Sequence, residues 1–318
     1  MRWTWPFNGR ASDGEHKHGN RSHTADARPD FLCVGGQKAG TSWLYHQLTA
    51  HPDFWMPPVK ELYYFDSLSR IKRRLPPRCK DSRDLLFMAK IEQLSARPGL
   101  DLEGYAKLFE FKGGLLSGDI SPSYSMLNDD VVEDVISHFP NVNVIFLARD
   151  PVERSWSQLS MEARLQTIPP FDPSDPDEVA RTLLCPGVLL HSHLSKIVAR
   201  WRRYIRPDLF RIFFFDDLEK DPGTLRRSIL SFLGADPKKP SGRLRADHKS
   251  NVGKDKPFLA AAVRSRMAQF FQEELKACAV ELGGPAKHWP ARYGFSLLLF
   301  FWDLVDDFEL LFWCDWIS

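Results

Sequence analysis

Along the middle of the chain, short apolar runs alternate with stretches whose apolar residues recur at helical spacing. The short runs are bounded by Gly, Pro or Asp and predict strands at residues 31–34, 115–117, 142–148 and 210–215. The longer stretches predict helices at residues 42–50, 129–138, 155–165, 189–204, 222–233 and 256–282. Because the two kinds of segment alternate, we expect βαβ units and an α/β fold of three layers around a central parallel sheet.

The two ends of the chain do not follow this alternation. Residues 1–29 are polar, rich in Gly, Asn, His and Arg, and contain no apolar run that could serve as a signal peptide, so we expect a disordered leader before a domain of residues 30–294. Residues 295–318 are rich in Phe, Leu and Trp, but acidic residues interrupt them too often for a transmembrane helix of about twenty apolar residues. We expect an apolar helical tail that packs on the domain or on a second subunit as a dimer, or that contacts a membrane surface peripherally.

Composition narrows the class of protein. With 318 residues and 43% hydrophobic content, the chain can bury one large α/β core. The net charge of +2 provides no global field of the kind that holds nucleic acid, so no nucleic-acid partner is expected. The five cysteines lack metal-ligand spacing and cannot all pair. We therefore expect a reduced, cytoplasmic protein without a metal, with membrane association through the tail as the alternative.

A glycine-rich turn follows the first predicted strand. Residues 35–43 are Gly-Gly-Gln-Lys-Ala-Gly-Thr-Ser-Trp. The backbone N–H groups of such a turn and the positive end of the following helix bind anions, Lys38 adds a full charge, and two hydroxyl side chains add donors. In the nucleotide-triphosphate loop the lysine directly follows the second glycine, whereas here Lys38 lies two positions before Gly40. The turn predicts a phosphate site of a different kind.

A second motif follows the third predicted strand. Residues 149–157 are Arg-Asp-Pro-Val-Glu-Arg-Ser-Trp-Ser. The strand brings Arg149 to the carboxyl edge of the sheet, where open α/β sheets bind ligands, and a guanidinium there can form two hydrogen bonds to a phosphate. Ser157, about two helical turns on, can add a hydroxyl. The alternative is that Arg149 pairs with Asp150 or caps a helix.

Together the two motifs resemble those of the sulfotransferases that use 3′-phosphoadenosine 5′-phosphosulfate (PAPS). Lys-x-Gly-Thr-Ser-Trp is similar to their 5′-phosphosulfate loop, and Arg-Asp-Pro-x-x-Arg-x-x-Ser to their 3′-phosphate motif. The resemblance implies PAPS as co-substrate, no metal, a P-loop-like 5′-phosphosulfate loop, and Arg149 and Ser157 on the 3′-phosphate. It assigns nucleotide binding in the loop to Gly36, Gln37, Lys38, Ala39, Gly40, Thr41, Ser42 and Trp43. Trp43 either stacks on the adenine or fills the core.

A third motif lies at residues 60–66, Lys-Glu-Leu-Tyr-Tyr-Phe-Asp. It resembles the segment that supplies the general base in the carbohydrate-modifying branch of that family, which includes heparan sulfotransferases. The resemblance implies that Glu61 takes the proton of an acceptor hydroxyl, on a sugar or glycolipid, while Lys38 neutralises charge on the bridging oxygen of the donor. The alternative for Glu61 is a surface ion pair with Lys60.

Other parts of the chain match the family less closely. Residues 247–254 resemble a basic loop that closes on the 3′-phosphate, which makes Lys249 and Lys254 candidate ligands, although a solvated loop explains them equally well. Phe215 stands where many members have a tyrosine, so we interpret its segment as structural. Two other functions stay open: a P-loop-type nucleotide kinase or NTPase, and a non-catalytic binding protein on the same fold.

Overall fold

The computed structural model describes residues 27–66, 77–240, 242, 244–248 and 257–296. Most of the predicted leader and tail lie outside the described residues, as do the candidate ligands Lys249 and Lys254. The domain predicted from residue 30 to residue 294 accounts for nearly all of the described residues.

Four parallel strands form the sheet of the described residues. They are β1 (Phe31–Gly35), β2 (Gly118–Ile120), β3 (Asn143–Ala148) and β4 (Phe210–Phe214), in the order β2-β1-β3-β4. β1 is fully buried and β3 almost so, as expected for strands covered on both faces. The predicted central parallel sheet is confirmed.

The second strand begins three residues later than the sequence pattern predicts. Leu116 is apolar but pairs with the 53–55 segment instead, where its N–H donates to the Asp53 carbonyl over 2.9 Å and its carbonyl accepts from Trp55 over 3.0 Å. The ladder with β1 starts at Gly118, opposite Phe31. The prediction of a strand at residues 115–117 is therefore wrong, because Leu116 forms its backbone hydrogen bonds with the 53–55 segment and not with β1.

Helices cover both faces of the sheet. In the described ranges they are α1 (Thr41–Thr49), α2 (Ser82–Ser95), α3 (Leu102–Ala106), α4 (Asp129–His138), α5 (Pro151–Leu165), α6 (Pro176–Thr182), α7 (Pro186–Leu189), α8 (Leu194–Tyr204), α9 (Phe215–Lys220), α10 (Pro222–Phe232), α11 (Ala261–Phe270) and α12 (Gln272–Glu281). Short 3-10 helices link several of them, among them Pro122–Met126, Leu190–Ser192 and Pro290–Tyr293. The single helices predicted at residues 189–204 and 256–282 are each divided in the structure, at His193 and at Phe271, where the backbone departs from helical angles.

Alternate residues of each strand belong to two separate cores. On β1, Leu32 and Val34 pack with α4, α5, α8, α11 and α12, whereas Phe31 and Cys33 pack with α1 and α10. Successive strand side chains point to opposite faces, so a strand buried on both sides must be apolar throughout. Burial raises the pKa of the Cys33 thiol to about 12, as expected for a cysteine that fills the core as a small apolar residue. The three-layer α/β architecture is confirmed.

The last described segment packs back on the domain. Trp289 is fully buried, and the N–H of Phe295 donates to the Pro290 carbonyl over 3.1 Å. The tail predicted to follow lies outside the described residues from residue 297 onward. Among the helices that are described, none has the length and apolarity needed to cross a membrane.

Replacing Gly118 by alanine tests how tightly β2 packs on β1. A Cβ at Gly118 would overlap the carbonyl oxygen and ring of Phe31, so β1 or β2 must shift. We expect the free energy of unfolding in urea to fall by about 2 kcal/mol. The control is Gly187→Ala on α7, where a Cβ meets no atom within 4 Å, and which should change it by less than about 1 kcal/mol. Equal effects of the two variants would contradict the close approach of the strands.

Candidate active site

The phosphate-loop motif lies between β1 and α1, at the carboxyl edge of the sheet. The end of β1 is pressed against β3: the N–H of Gly36 donates to the Leu147 carbonyl over 2.6 Å, and a Cβ on Gly35 would come within 2.5 Å of the Phe146 ring. Only glycine fits at Gly35 without moving β3. The two strands that precede the two motifs are thus held side by side.

The loop presents an open helix end. Lys38 and Gly40 both have positive φ, of 65° and 99°, and Gly40 precedes α1 without any side-chain cap. The first N–H groups of a helix have no intrahelical partner, and turns through the left-handed region form concave sites for anions. The Gly36 N–H donates to the Leu147 carbonyl and the Ala39 N–H to the Gly36 carbonyl. The uncapped N-terminal end of α1 that follows this turn fits a phosphate or sulfate group.

Arg149 joins the two motifs directly. Its Nη1 donates to the carbonyl of Lys38 over 3.1 Å, and its guanidinium lies 4.2 Å from the centre of the Phe215 ring. Glu153 lies 3.9 Å away on the first turn of α5. Burial lowers the pKa of Arg149, while Glu153 and other carboxylates raise it. The predicted alternatives, a pair with Asp150 or a helix cap, do not describe these contacts.

One face of α5 lines the loop. Glu153, Ser157 and Met161 are spaced four residues apart and therefore form one stripe on the helix. Glu153 faces Arg149, and the Sδ of Met161 lies 3.4 Å from the Lys38 Nζ. Ser157, which is partly exposed, lies between these two contacts on the stripe. The structure therefore brings Lys38, Arg149 and Ser157 to one place.

The same helix also carries a buried cation, Arg154. Arg154 is fully buried, and its donors reach the Gln158 Oε1, the Ser155 and Ser192 hydroxyls and the Val188 carbonyl, over 2.6–3.1 Å. None of these partners is charged. Burial, and then the charge of Arg149, lower the pKa of Arg154 to about 9. The sequence motif contains this arginine, but its spacing gives no sign that it lies in the core.

The structure gives specific contacts for two aromatic residues of the sequence analysis, Trp43 and Phe215. Trp43 is 5% exposed and its indole N–H donates to the Ala246 carbonyl over 2.7 Å, which matches the core alternative rather than an exposed stacking surface. Phe215, interpreted as structural because it lacks a phenol, forms the ring on which Arg149 rests. Trp156 on α5 donates to the Pro257 carbonyl over 3.2 Å. The two tryptophans thus hold the chain on either side of residues 249–256.

Glu61 lies in a loop with unusual backbone angles. Glu61 and Tyr63 have positive φ, of 68° and 55°, although neither is glycine. Glu61 Oε1 accepts from the Lys60 ammonium and Oε2 from the Tyr63 phenol. The predicted alternative of an ion pair with Lys60 is present, but both side chains are largely buried, at 9% and 19% exposure, and do not form a surface pair.

The buried carboxylate of Asp119 on β2 organises this loop. It accepts from the phenols of Tyr105 and Tyr124 over 3.0 and 2.6 Å and from the hydroxyl of Ser121 over 2.7 Å. The N–H of Leu62 also points to it, at 3.5 Å. Burial raises the pKa of Asp119, while these donors lower it. Since β2 lies next to β1, the loop of Glu61 and the phosphate loop lie at the same edge of the sheet.

Asp150 connects the second motif to the end of the described chain. Its Oδ1 caps α5 through the Val152 N–H over 2.9 Å, and its Oδ2 accepts from the Tyr293 phenol over 2.9 Å, with Arg292 at 3.6 Å. Burial raises the pKa of Asp150 to about 6, although these donors and the Arg292 charge lower it. The residues 290–293 therefore help to fix the turn that carries Arg149.

Comparison with known proteins gives a consistent family. A family model described as "Sulfotransferase family" matches residues 29–238. The membrane-associated sulfotransferase kil1 of Dictyostelium discoideum is 30% identical over 134 residues, which are 41% of this chain and 22% of that protein. The match thus spans less than a quarter of the length of this curated relative.

Solved structures share the fold. The sulfotransferase from Alicyclobacillus acidocaldarius is 20% identical, with a TM-score of 0.57 over 82% of this chain and 98% of that chain. The sulfotransferase domain of the Synechococcus PCC 7002 olefin synthase is 16% identical, with a TM-score of 0.50 over 76% of this chain and 94% of that chain. At these identities the similarity concerns the fold alone.

The pH dependence of stability tests the burial of Asp150. Its pKa is raised from 3.8 to about 6 on folding, so the folded state binds more protons between these values and stability is lost as the pH rises through them. The Asp150→Asn variant lacks this loss. We expect the unfolding free energy of the variant, relative to the parent protein, to rise by about 2 kcal/mol between pH 4.5 and pH 7.

Urea unfolding at both pH values checks this, with Asp134→Asn, an exposed position on α4, to report the loss of one negative charge elsewhere. A relative stability of Asp150→Asn that is the same at both pH values would show that Asp150 is ionised in the folded protein throughout this range.

Proposed function

Because this chain belongs to the sulfotransferase family, we propose that it moves the sulfuryl group of PAPS to an acceptor hydroxyl. The observation that carries the proposal is the junction of the two motifs, in which Arg149 reaches the carbonyl of Lys38 beside the stripe of Ser157 on α5. A donor with a 5′-phosphosulfate and a 3′-phosphate has anionic groups for both motifs at once.

The donor half of the proposed site uses the residues of the two motifs. The N–H groups of the loop and the first turn of α1, with the Thr41 and Ser42 hydroxyls, hold the 5′-phosphosulfate. Arg149 and Ser157 hold the 3′-phosphate, and the ring of Phe215 orients the guanidinium.

The proposed reaction needs one base and one cation. The acceptor oxygen forms a bond to sulfur, while the bond from sulfur to the bridging oxygen of the 5′-phosphate breaks and leaves its electron pair on that oxygen. Glu61 takes the acceptor proton as the new bond forms. The Lys38 ammonium neutralises the charge that develops on the leaving oxygen, an electrostatic effect that is strong in a water-poor site.

The contacts favour this function over a kinase or NTPase. Those enzymes need an acid that binds Mg²⁺ after an apolar strand, and Asp150 has the corresponding position in the sequence. Both of its oxygens are already used, one in capping α5 and one by Tyr293. Arg149 stands beside it, and a guanidinium at this place opposes a metal cation.

For the acceptor we propose a carbohydrate hydroxyl. Support comes from the motif of Glu61, which resembles that of the carbohydrate-modifying branch, and from the polar groups next to β1. His191 Nδ1 lies 3.2 Å from the buried Ser125 hydroxyl, and Ser125 packs against Gly35 at the base of the loop. The partly exposed imidazole of His191 is a group that can form hydrogen bonds with sugar hydroxyls. Peripheral contact of the apolar tail with a membrane is part of the same proposal, because the sequence of residues 295–318 is apolar and one relative is named as membrane-associated.

Binding of the product nucleotide tests the donor site. We expect calorimetry to detect binding of adenosine 3′,5′-bisphosphate to the protein. The Arg149→Ala variant should bind it about 30- to 100-fold more weakly, because charged hydrogen bonds to the 3′-phosphate are lost. Affinity for AMP, which lacks that phosphate, should change by less than about threefold. The control variant is Arg227→Ala, an exposed arginine on α10. Binding of ATP with Mg²⁺ but not of the bisphosphate would contradict the proposal.

Transfer of ³⁵S from labelled PAPS to a panel of glycans, lipids, phenols and peptides tests the reaction and the acceptor class. We expect label on a carbohydrate, with kcat lowered about 10²- to 10³-fold in Lys38→Ala and about 10²- to 10⁴-fold in Glu61→Gln. Lys220→Ala and Glu133→Gln remove exposed charges elsewhere and serve as controls. Label only on another class would exclude the carbohydrate acceptor, and near-normal turnover in Glu61→Gln would exclude Glu61 as the base.

A further inference from the structure

We propose that Tyr63 is a positioning residue, whose phenol holds the Glu61 carboxylate in the orientation for proton transfer. The inference rests on the proposed role of Glu61 as the base and assigns it a second residue. Tyr63 was visible in the sequence as one of two adjacent tyrosines, but nothing in the pattern distinguished it from Tyr64.

The two tyrosines have different partners. The phenol of Tyr63 donates to Glu61 Oε2, whereas the phenol of Tyr64 donates to the Asp101 carbonyl over 3.2 Å and accepts from the Asp101 N–H over 2.9 Å. Side chains two residues apart lie on the same face of an extended chain. Glu61 and Tyr63 both have positive φ, so the segment is bent, and in this bent segment the two side chains meet. The contact is therefore built by the backbone of the loop.

A backbone of this kind is costly for residues other than glycine and persists only when its surroundings hold it. Three successive N–H groups of the loop are held by side chains near the end of β2. The N–H of Leu62 points to Asp119 Oδ1 at 3.5 Å, that of Tyr63 donates to the Ser121 hydroxyl over 3.3 Å, and that of Tyr64 to the Tyr124 phenol over 2.9 Å. Ser121 and Tyr124 are themselves bonded to Asp119, so one buried carboxylate fixes the whole loop.

The phenol acts as a donor and keeps its proton. Burial, and then the charge and hydrogen bond of Glu61, raise the pKa of Tyr63 far above its ordinary value. Other charged groups that face the pair are Lys60, which donates to the second oxygen of Glu61, and the carboxylates of Asp66 and Asp119, which act on Tyr63. With one donor on each oxygen, Glu61 keeps a lone pair on both for the acceptor proton. Tyr63 thus orients the base without competing as one.

The Tyr63→Phe variant tests this in the protein without any nucleotide. In protein labelled with ¹³C at the glutamate carboxyl, the resonance absent from Glu61→Gln belongs to Glu61. We expect the chemical shift of this resonance to change in Tyr63→Phe, because the hydrogen bond from the phenol to Oε2 is lost. The control is Tyr64→Phe, which loses a phenol from the same segment and should leave the Glu61 chemical shift unchanged.

Turnover supplies the second measurement. In Tyr63→Phe we expect kcat to fall about tenfold while KM for the acceptor changes by less than about threefold, because the base is no longer held toward the acceptor hydroxyl. Tyr64→Phe should lower thermal stability but leave kcat unchanged. A Glu61 resonance and a kcat that both stay unchanged in Tyr63→Phe, while Glu61→Gln is inactive, would overturn this inference and leave the proposed function intact. Normal turnover of Glu61→Gln would instead refute the proposed base.

Discussion

The close approach of β1 to β3 is the constraint on which the site depends. The hydrogen bond from the Gly36 N–H to the Leu147 carbonyl, and the absence of a side chain at Gly35 where the Phe146 ring lies, bring the ends of the two strands together. Each strand is followed by a turn and a helix, so both turns open at one edge of the sheet. Arg149 can then reach the carbonyl of Lys38, which lies in the other turn. Without this approach the two motifs would be separate surface loops.

Much of this arrangement could be predicted because it is encoded locally. Strand β1 is a continuous apolar run, β3 is apolar after Asn143 and β4 is apolar apart from Arg211. The turns that follow β1 and β3 carry glycine, lysine and arginine at fixed spacing. A ligand edge follows from the parallel order alone. The shifted start of β2 could not be predicted from local sequence. Leu116 pairs with the 53–55 segment and Gly118 pairs with Phe31, and both partners lie far away in the sequence.

The parts of the site that were missed depend on tertiary contacts. Phe215 belongs to the element after β4, and only the pairing of β4 with β3 brings its ring under Arg149. Tyr63 contacts Glu61 because both have positive φ, an angle that sequence does not announce at residues other than glycine. The role of Asp119 as the acceptor for four residues was likewise visible only once β2, the 61–64 loop and the tyrosines were assembled. Chemistry that spans several elements is read from the fold rather than from a motif.

The buried guanidinium of Arg154 affects the stability of the fold and so the abundance of the protein in the cell. A cation among neutral partners is expensive to desolvate, and the nearby charge of Arg149 adds repulsion because the interior screens charges poorly. An anion held at Arg149 would supply the missing countercharge, and it would therefore stabilise the fold as well as occupy the site. If the chain binds a nucleotide there, as proposed, its abundance in the cell would rise with the supply of that nucleotide, because ligand binding lowers the fraction of unfolded protein that proteases can remove.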